Sequence, residues 1–273
     1  MTQPEAKEVS RESLGSVSQE PRLYVLSRPR LDWREIARFL EEESTEWKRT
    51  SGATEAEEII EFAGRICYMS FGDKQSSRSN REYIQTLIRQ QHDSVLEHAS
   101  WTFLLTGVSR AFTHQLVRHR VGFSYSQLSQ QYHDETTAKF VMPEEVKANP
   151  AVMELWLRLI EELRQGYQSI SNDLKAGDVG QHTSPREMRR SVGSAARSIL
   201  PNSTATKIVF SANGRALRHF LSTRGAIAGD LEMRRVSALL YSQLEDEAPA
   251  LLSGFEMSAH EDGYPLVRRK QIE

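Results

Sequence analysis

Cysteine is nearly absent from this chain. One residue, Cys67, stands in 273, which excludes an intrachain disulfide and any multi-cysteine zinc or iron–sulfur centre. Its neighbours Ile66, Tyr68 and Met69 predict a buried structural thiol, and a catalytic thiolate, which needs a basic partner, is the weaker reading. Long apolar runs are missing too. None approaches the ~20 residues of a membrane span, and residues 1–20 hold no apolar segment of signal type. That stretch is rich in Glu, Ser and Gln and is expected to be a disordered tail. Lysine is scarce: 8 of the 35 basic residues, leaving 35 − 8 = 27 arginines. A G+C-rich coding sequence explains that bias before anion binding does. Neither sign of charge dominates. A net charge of −2 gives no global field to gather nucleic acid or an anionic membrane. A cytoplasmic protein with neither partner is the expectation.

What is present is helical punctuation. Residues 31–47 carry a cap at Asp32 with Glu35 three positions on. Thr54 with Glu57 and Ser79 with Glu82 form capping boxes ahead of apolar residues at helical spacing. Ser184-Pro185-Arg186-Glu187 starts another helix, with Pro at its first position. Residues 149–175, 214–224 and 230–248 also read as helices. Residues 109–119 read as a helix that puts Arg110, His114 and Arg118 on one face. Trp101–Val108 and Lys207–Ser211 read as buried strands, and Lys139–Met142 as a short one ending at Pro143. This is an α+β pattern, with helices packed on a modest mixed or antiparallel sheet. It places one domain over 21–255 and a C-terminal tail over 256–273.

Three segments carry chemistry. Residues 118–132 open with Arg118-His119-Arg120 and continue with short hydroxyl and amide groups: Ser124, Ser126, Gln127, Ser129 and Gln130. Arginine presents a planar fork of donors to phosphate and carbonyl oxygens. With little helical periodicity, the segment predicts a loop around a polar, anionic ligand. Residues 92–98 gather His92, Asp93, Ser94, Glu97 and His98. A metal site is disfavoured there, because the spacing is not that of a metal-binding helix and no third nitrogen ligand is indicated. The third segment runs from Arg197 through Asn213, Arg215, Arg218 and His219 to Arg224. Taken alone, Arg215 and Arg218 read as a solvated helix face, and His219 as a core or interface histidine.

Together these segments resemble the flavin-dependent thymidylate synthases. Their signature is Arg-His-Arg, a spacer of usually seven residues, and a serine; here eight residues, Val121 to Leu128, precede Ser129. The resemblance spans roughly residues 22–250 in order and implies that family's fold and a homotetramer. It implies FAD held by His92, Ser94, Glu97, Arg118, His119, Arg120, Ser126, Asn213 and His219. It implies a uridine nucleotide bound by Gln115, Gln127, Leu128, Ser129, Gln130 and Gln131, with Arg197 reaching in from a neighbouring subunit. Arg224 would stabilise charge on the pyrimidine as hydride arrives. His92 and Tyr132 would face folate or nicotinamide. The reaction implied is C5 methylation, with carbon from methylenetetrahydrofolate and hydride from NADPH through FAD.

Ser129 is read as a binding residue, since no general base is evident to activate it as a nucleophile. Three departures bear on substrate: the extra residue at Val121-Gly122, Gln131 where the family usually has an arginine, and Ala228 where a histidine is common. They raise the expectation that UMP is methylated as well as, or in place of, dUMP. A non-catalytic flavin or nucleotide sensor is the main rival. A phosphate-gripping nucleic-acid protein is a weaker one.

Overall fold

Alternation builds the sheet. In the computed structural model, residues 17, 20–177 and 184–270 are described. Ser100–Ser109 (β2) buries Trp101, Phe103 and Leu105 on one face. Ala205–Asn213 (β4) buries Thr206, Ile208, Phe210 and Ala212, the two-residue period of a strand with a covered face. With Arg22–Ser27 (β1) and Phe123–Gln127 (β3) they form a four-stranded sheet in the order β1-β2-β4-β3. The remaining pair, Phe255–Ala259 (β5) and Pro265–Arg269 (β6), is an antiparallel hairpin in register Met257 to Val267. The chain is of the expected α+β class.

The chain divides into two units. One comprises residues 105–117 and 126–208 with the N-terminal segment; the other comprises 23–104, 118–125 and 209–273. In the first, Ala138, Phe140 and Ile160 form a core with Trp156 packed on it. The helix Pro150–Ala176 is started by Asn149, whose side chain accepts from the Val152 amide, and the helix Pro185–Ala196 by Ser184. In the second, Ile36, Trp47 and Phe71 are packed by Trp33, Phe39 and Phe62. Both predicted capping boxes are complete there: Thr54 with Glu57 starts Glu55–Ile66, and Ser79 with Glu82 starts Asn80–Arg89. Such a box satisfies two orphan amides at once.

Several local expectations need correction. Cys67 is exposed, as are Ile66, Tyr68 and Met69. Ile66 is the last residue of the helix and the others follow it, so none continues its buried face. The helix after β2 covers only Arg110–Leu116, so Arg118 does not share a helix face with Arg110 and His114. Residues 123–127 are strand rather than loop: Phe123, Tyr125 and Gln127 are partly covered while Ser124 and Ser126 face out. Residues 139–142 make isolated bridges at Phe140, not a strand. The C-terminal stretch expected as a tail contains the β5–β6 hairpin. Most of the predicted N-terminal tail, residues 1–16 and 18–19, lies outside the described residues. Among those described, no helix is long and apolar enough to cross a membrane.

Candidate functional site

The predicted site residues fall into two groups, one in each unit. His92, Ser94, Glu97, Arg118, His119, Arg120, Asn213, His219 and Arg224 lie in the second unit; Gln115, Ser126–Tyr132 and Arg197 lie in the first.

In the second unit the helix Gly214–Arg224 organises the site. Asn213 caps it, its Oδ1 accepting from the Ala216 amide at 2.9 Å. One turn from its end stands His219, exposed; its last residue is Arg224. Arg224 Nε donates to His119 Nε2 at 3.0 Å, so the Arg-His-Arg triplet and the distant arginine meet directly. His119 also lies edge-on to His219 and Phe220, with ring centroids 5.9 and 5.1 Å away. Burial, reinforced by the Arg224 and His219 charges, lowers its pKa to about 4. It is therefore neutral near pH 7, with Nε2 the acceptor and Nδ1 carrying the proton. Arg118 and Arg120 are exposed. The Tyr125 hydroxyl donates to the His119 carbonyl at 2.7 Å, fixing the backbone between them.

The sign of the pH effect follows from that depression. The unfolded chain takes up a proton near pH 6.5 and the folded one only near pH 4. The stabilising contribution of neutral His119 is complete above about pH 6.5 and is lost as pH falls towards about 4. Protonation would also remove the acceptor that holds Arg224. An NMR titration of the His119 ring should give a midpoint well below that of an unperturbed histidine, and Arg224→Ala should raise it. A normal midpoint in the unsubstituted protein would overturn this account.

Beside this cluster lies a cavity of about 520 Å³, lined by Asp93, Glu97, Val121, Asn213 and His219 together with four arginines. Those arginines, Arg89, Arg215, Arg218 and Arg269, outnumber the two lining acids, so the cavity favours anions. Its size is that of an ordinary ligand pocket. Sequence reasoning takes Arg215 and Arg218 as a solvated helix face and does not single out Arg89 or Arg269. Arg215 is exposed but ion-paired to Glu97 at 2.7 Å. Arg218 is partly covered rather than a solvated face: burial brings its pKa down to about 10, and its guanidinium donates to the carbonyls of Leu251 and Ser253.

The extra spacer residues sit here. Val121 lines the cavity and is 80% exposed. Gly122 has φ +73°, and a Cβ there would lie 2.7 Å from Asn213 Nδ2 and 2.8 Å from the Ala216 Cβ. The Asn213 amide donates to its carbonyl at 3.2 Å. The insertion is therefore seated against the helix start.

In the first unit, Gln127 Nε2 donates to Thr113 Oγ1 at 3.0 Å, and the Leu128 amide to the Lys207 carbonyl. Ser129 is exposed, its Oγ accepting from the Gln131 amide at 3.4 Å. Gln131 Nε2 donates to Ser194 Oγ at 3.0 Å. Gln130 is buried, and its Nε2 has no hydrogen-bond partner. Tyr132 is 56% exposed. Arg197 opens the short turn Arg197–Ile199 after the helix Pro185–Ala196. A cavity of about 380 Å³ is lined by Leu128, His133, Glu135, Lys139, Thr206 and Lys207, among others. Burial raises the Glu135 carboxyl above the usual range.

An α+β chain with an arginine-lined cavity, beside a neutral histidine clasped by an arginine, is a protein equipped to hold an anionic ligand. The chain belongs to the thymidylate synthase complementing protein family, whose model matches residues 50–250. It is similar to proteins named flavin-dependent thymidylate synthase. That of Mycolicibacterium gilvum (strain PYR-GCK) is 41% identical over 206 residues, covering 75% of this chain and 82% of the relative. Those of Corynebacterium diphtheriae and Mycobacterium leprae (strain TN) are 38% and 36% identical over 229 and 230 residues, each covering 82% of this chain and 89% of the relative.

Proposed function

We propose that this protein is an FAD-dependent enzyme that methylates C5 of a uridine nucleotide. Methylenetetrahydrofolate supplies the one-carbon unit, and NADPH and a proton complete the balance, giving the 5-methyl nucleotide, tetrahydrofolate and NADP⁺. The observation that carries this reading is the Arg224–His119 bond, which unites two segments 105 residues apart that the family resemblance assigns to nucleotide and flavin.

The residues present fit an anionic flavin nucleotide. The lining arginines suit a pyrophosphate, and the exposed Arg118 and Arg120 add donors that phosphate oxygens can accept. When bound, FAD supplies hydride transfer, which protein side chains cannot perform. The protein's own contribution is positional. His119, kept neutral by its surroundings, holds Arg224 without competing for its charge. Arg224 then presents a fixed cation to a pyrimidine carbonyl on which negative charge develops. Ser129 and Gln131 supply neutral hydrogen bonds; a phosphate held by glutamine rather than arginine loses the charge-assisted part of its grip. Arg197 would answer part of that loss from a neighbouring subunit of a homotetramer, and Tyr132 and His92 would border the folate or nicotinamide.

The purified protein should be yellow, and Arg118→Ala or His119→Ala should lose most of its flavin. Stoichiometric flavin in both variants would show the cofactor is held elsewhere. Substrate choice is decided by offering UMP and dUMP at equal concentration with NADPH and methylenetetrahydrofolate and weighing the products. The lengthened loop at Val121-Gly122 is our reason for expecting a ribose 2′-hydroxyl to be admitted, so 5-methyl-UMP should form. Abundant dTMP without detectable 5-methyl-UMP would restrict the enzyme to dUMP. A flavin-binding protein that oxidises no NADPH would favour the sensor reading.

A further inference from the structure

A second basic cavity lies apart from the arginine-lined one, in the same unit. It measures about 280 Å³ and is lined by Arg65, Tyr68, Lys74, Arg78, Thr86 and His92, among others, with no acidic residue in its wall. Its charge is not neutralised internally. Arg65 is spent: it is 1% exposed and paired at 2.7 Å with Glu61, equally buried. Lys74 and Arg78 are exposed, and among the described residues neither side chain makes a hydrogen bond or ion pair. Glu82, whose carboxylate feels the Arg78 charge, is engaged by the Ser79 amide and hydroxyl, each at 2.8 Å. Two basic side chains thus line the cavity without a hydrogen-bonded carboxylate partner among the described residues.

The rim has a different character. Tyr68, which lines the cavity, is 70% exposed and offers an uncovered aromatic face. His92 lines the cavity as well. A basic recess with an aromatic ledge suits a molecule with a flat ring at one end and fixed negative charge at the other.

We propose that this cavity is an oxyanion subsite for the charged end of a co-substrate, with Lys74 and Arg78 as its ligands and Tyr68 as the ledge for an attached ring. The identity of that co-substrate rests on the function proposed above; the subsite itself does not. Two sources share the chemistry: the 2′-phosphate of a nicotinamide dinucleotide and the glutamate carboxylates of a folate.

The test uses the full-length protein as purified, and the double variant Lys74→Ala/Arg78→Ala, whose substitutions are exposed. Calorimetry would measure binding of adenosine 2′,5′-bisphosphate and, separately, of pteroyltriglutamate. Loss of two charge-assisted contacts should weaken binding by about tenfold or more, while flavin content and the melting midpoint stay unchanged. Weakening for the bisphosphate alone assigns the cavity to the dinucleotide phosphate. Weakening for the triglutamate alone assigns it to the folate tail, and weakening for both to the shared chemistry. Lys74→Arg/Arg78→Lys should restore most of the affinity. If neither probe binds, or neither changes by more than about threefold, the proposal is overturned. A protein without flavin or turnover would defeat the functional reading yet leave this comparison decisive for the subsite.

Discussion

Arg224→Ala should stay yellow and lose methylation by ~100-fold or more, the scale on which removal of a fixed charge-stabilising donor acts. The guanidinium is preorganised by its bond to His119, so its loss removes both charge and orientation. Arg224→Lys should recover little. A lysine ammonium is a mobile point charge, whereas the arginine's planar fork donates from Nε to the histidine and so holds its charge in a fixed orientation. Single-turnover measurement with flavin pre-reduced isolates the methylation step from nicotinamide oxidation. An Arg224→Ala enzyme that turns over within about fivefold of the unsubstituted one, against the loss expected for such a donor, would remove Arg224 from the mechanism.

The other large effect should come from Gly122→Ala. The left-handed backbone at φ +73° alone costs a non-glycine residue roughly 1–2 kcal/mol. A methyl group would also meet Asn213 and Ala216 well inside contact distance, and displacing Asn213 disturbs a helix cap worth about 1 kcal/mol. Together these predict ~2–4 kcal/mol of destabilisation, or a melting midpoint lower by roughly 4–16 °C for a chain of this size. Flavin content should fall with it, because the same contact sets the cavity wall. A Gly122→Ala protein that melts within about 2 °C of the unsubstituted chain, far inside that range, and keeps its flavin would mean the backbone relaxes there. Deleting Val121 instead of substituting Gly122 tests the insertion itself, since it removes the residue that projects into the cavity while sparing the glycine.

What could be read from the chain was whatever is encoded locally. Thr54 with Glu57, Ser79 with Glu82, and Ser184 before Pro185 each announce a helix start within four residues, and each is found capping one. The strands around Phe103 and Phe210 were legible as short apolar runs with aromatic and β-branched residues, and each is found as a strand. Phe123–Gln127 was missed because its outward positions are serines and its inward ones include Gln127, so composition masked a two-residue period. Arg218 was misread because its partners are carbonyls 33 and 35 residues away. No local pattern reveals such a partner. Cys67 was misread because apolar neighbours imply burial only when the element continues, and the helix stops at Ile66. The grouping of His119 with Arg224 came from the family resemblance, not from spacing; the bond between them is a finding of the structure.

The hairpin at the chain's end bears on how the protein tolerates alteration. The Val267 amide donates to the Gly225 carbonyl at 2.9 Å, and a Cβ at Gly225 would come within 2.3 Å of the Val267 carbonyl oxygen. Strand β6 is thus bolted to the residue that immediately follows Arg224. Arg234, fully buried, is answered by Asp262 in the hairpin turn. Trimming the chain back to residue 258 would strip that cation of its counter-charge, a loss typically worth several kcal/mol, and would free the helix end that aims Arg224. The last stretch of polypeptide is therefore anchorage for the helix that ends in Arg224, and, on the proposed role of that arginine, an affinity handle or a proteolytic nick placed there should be felt in turnover.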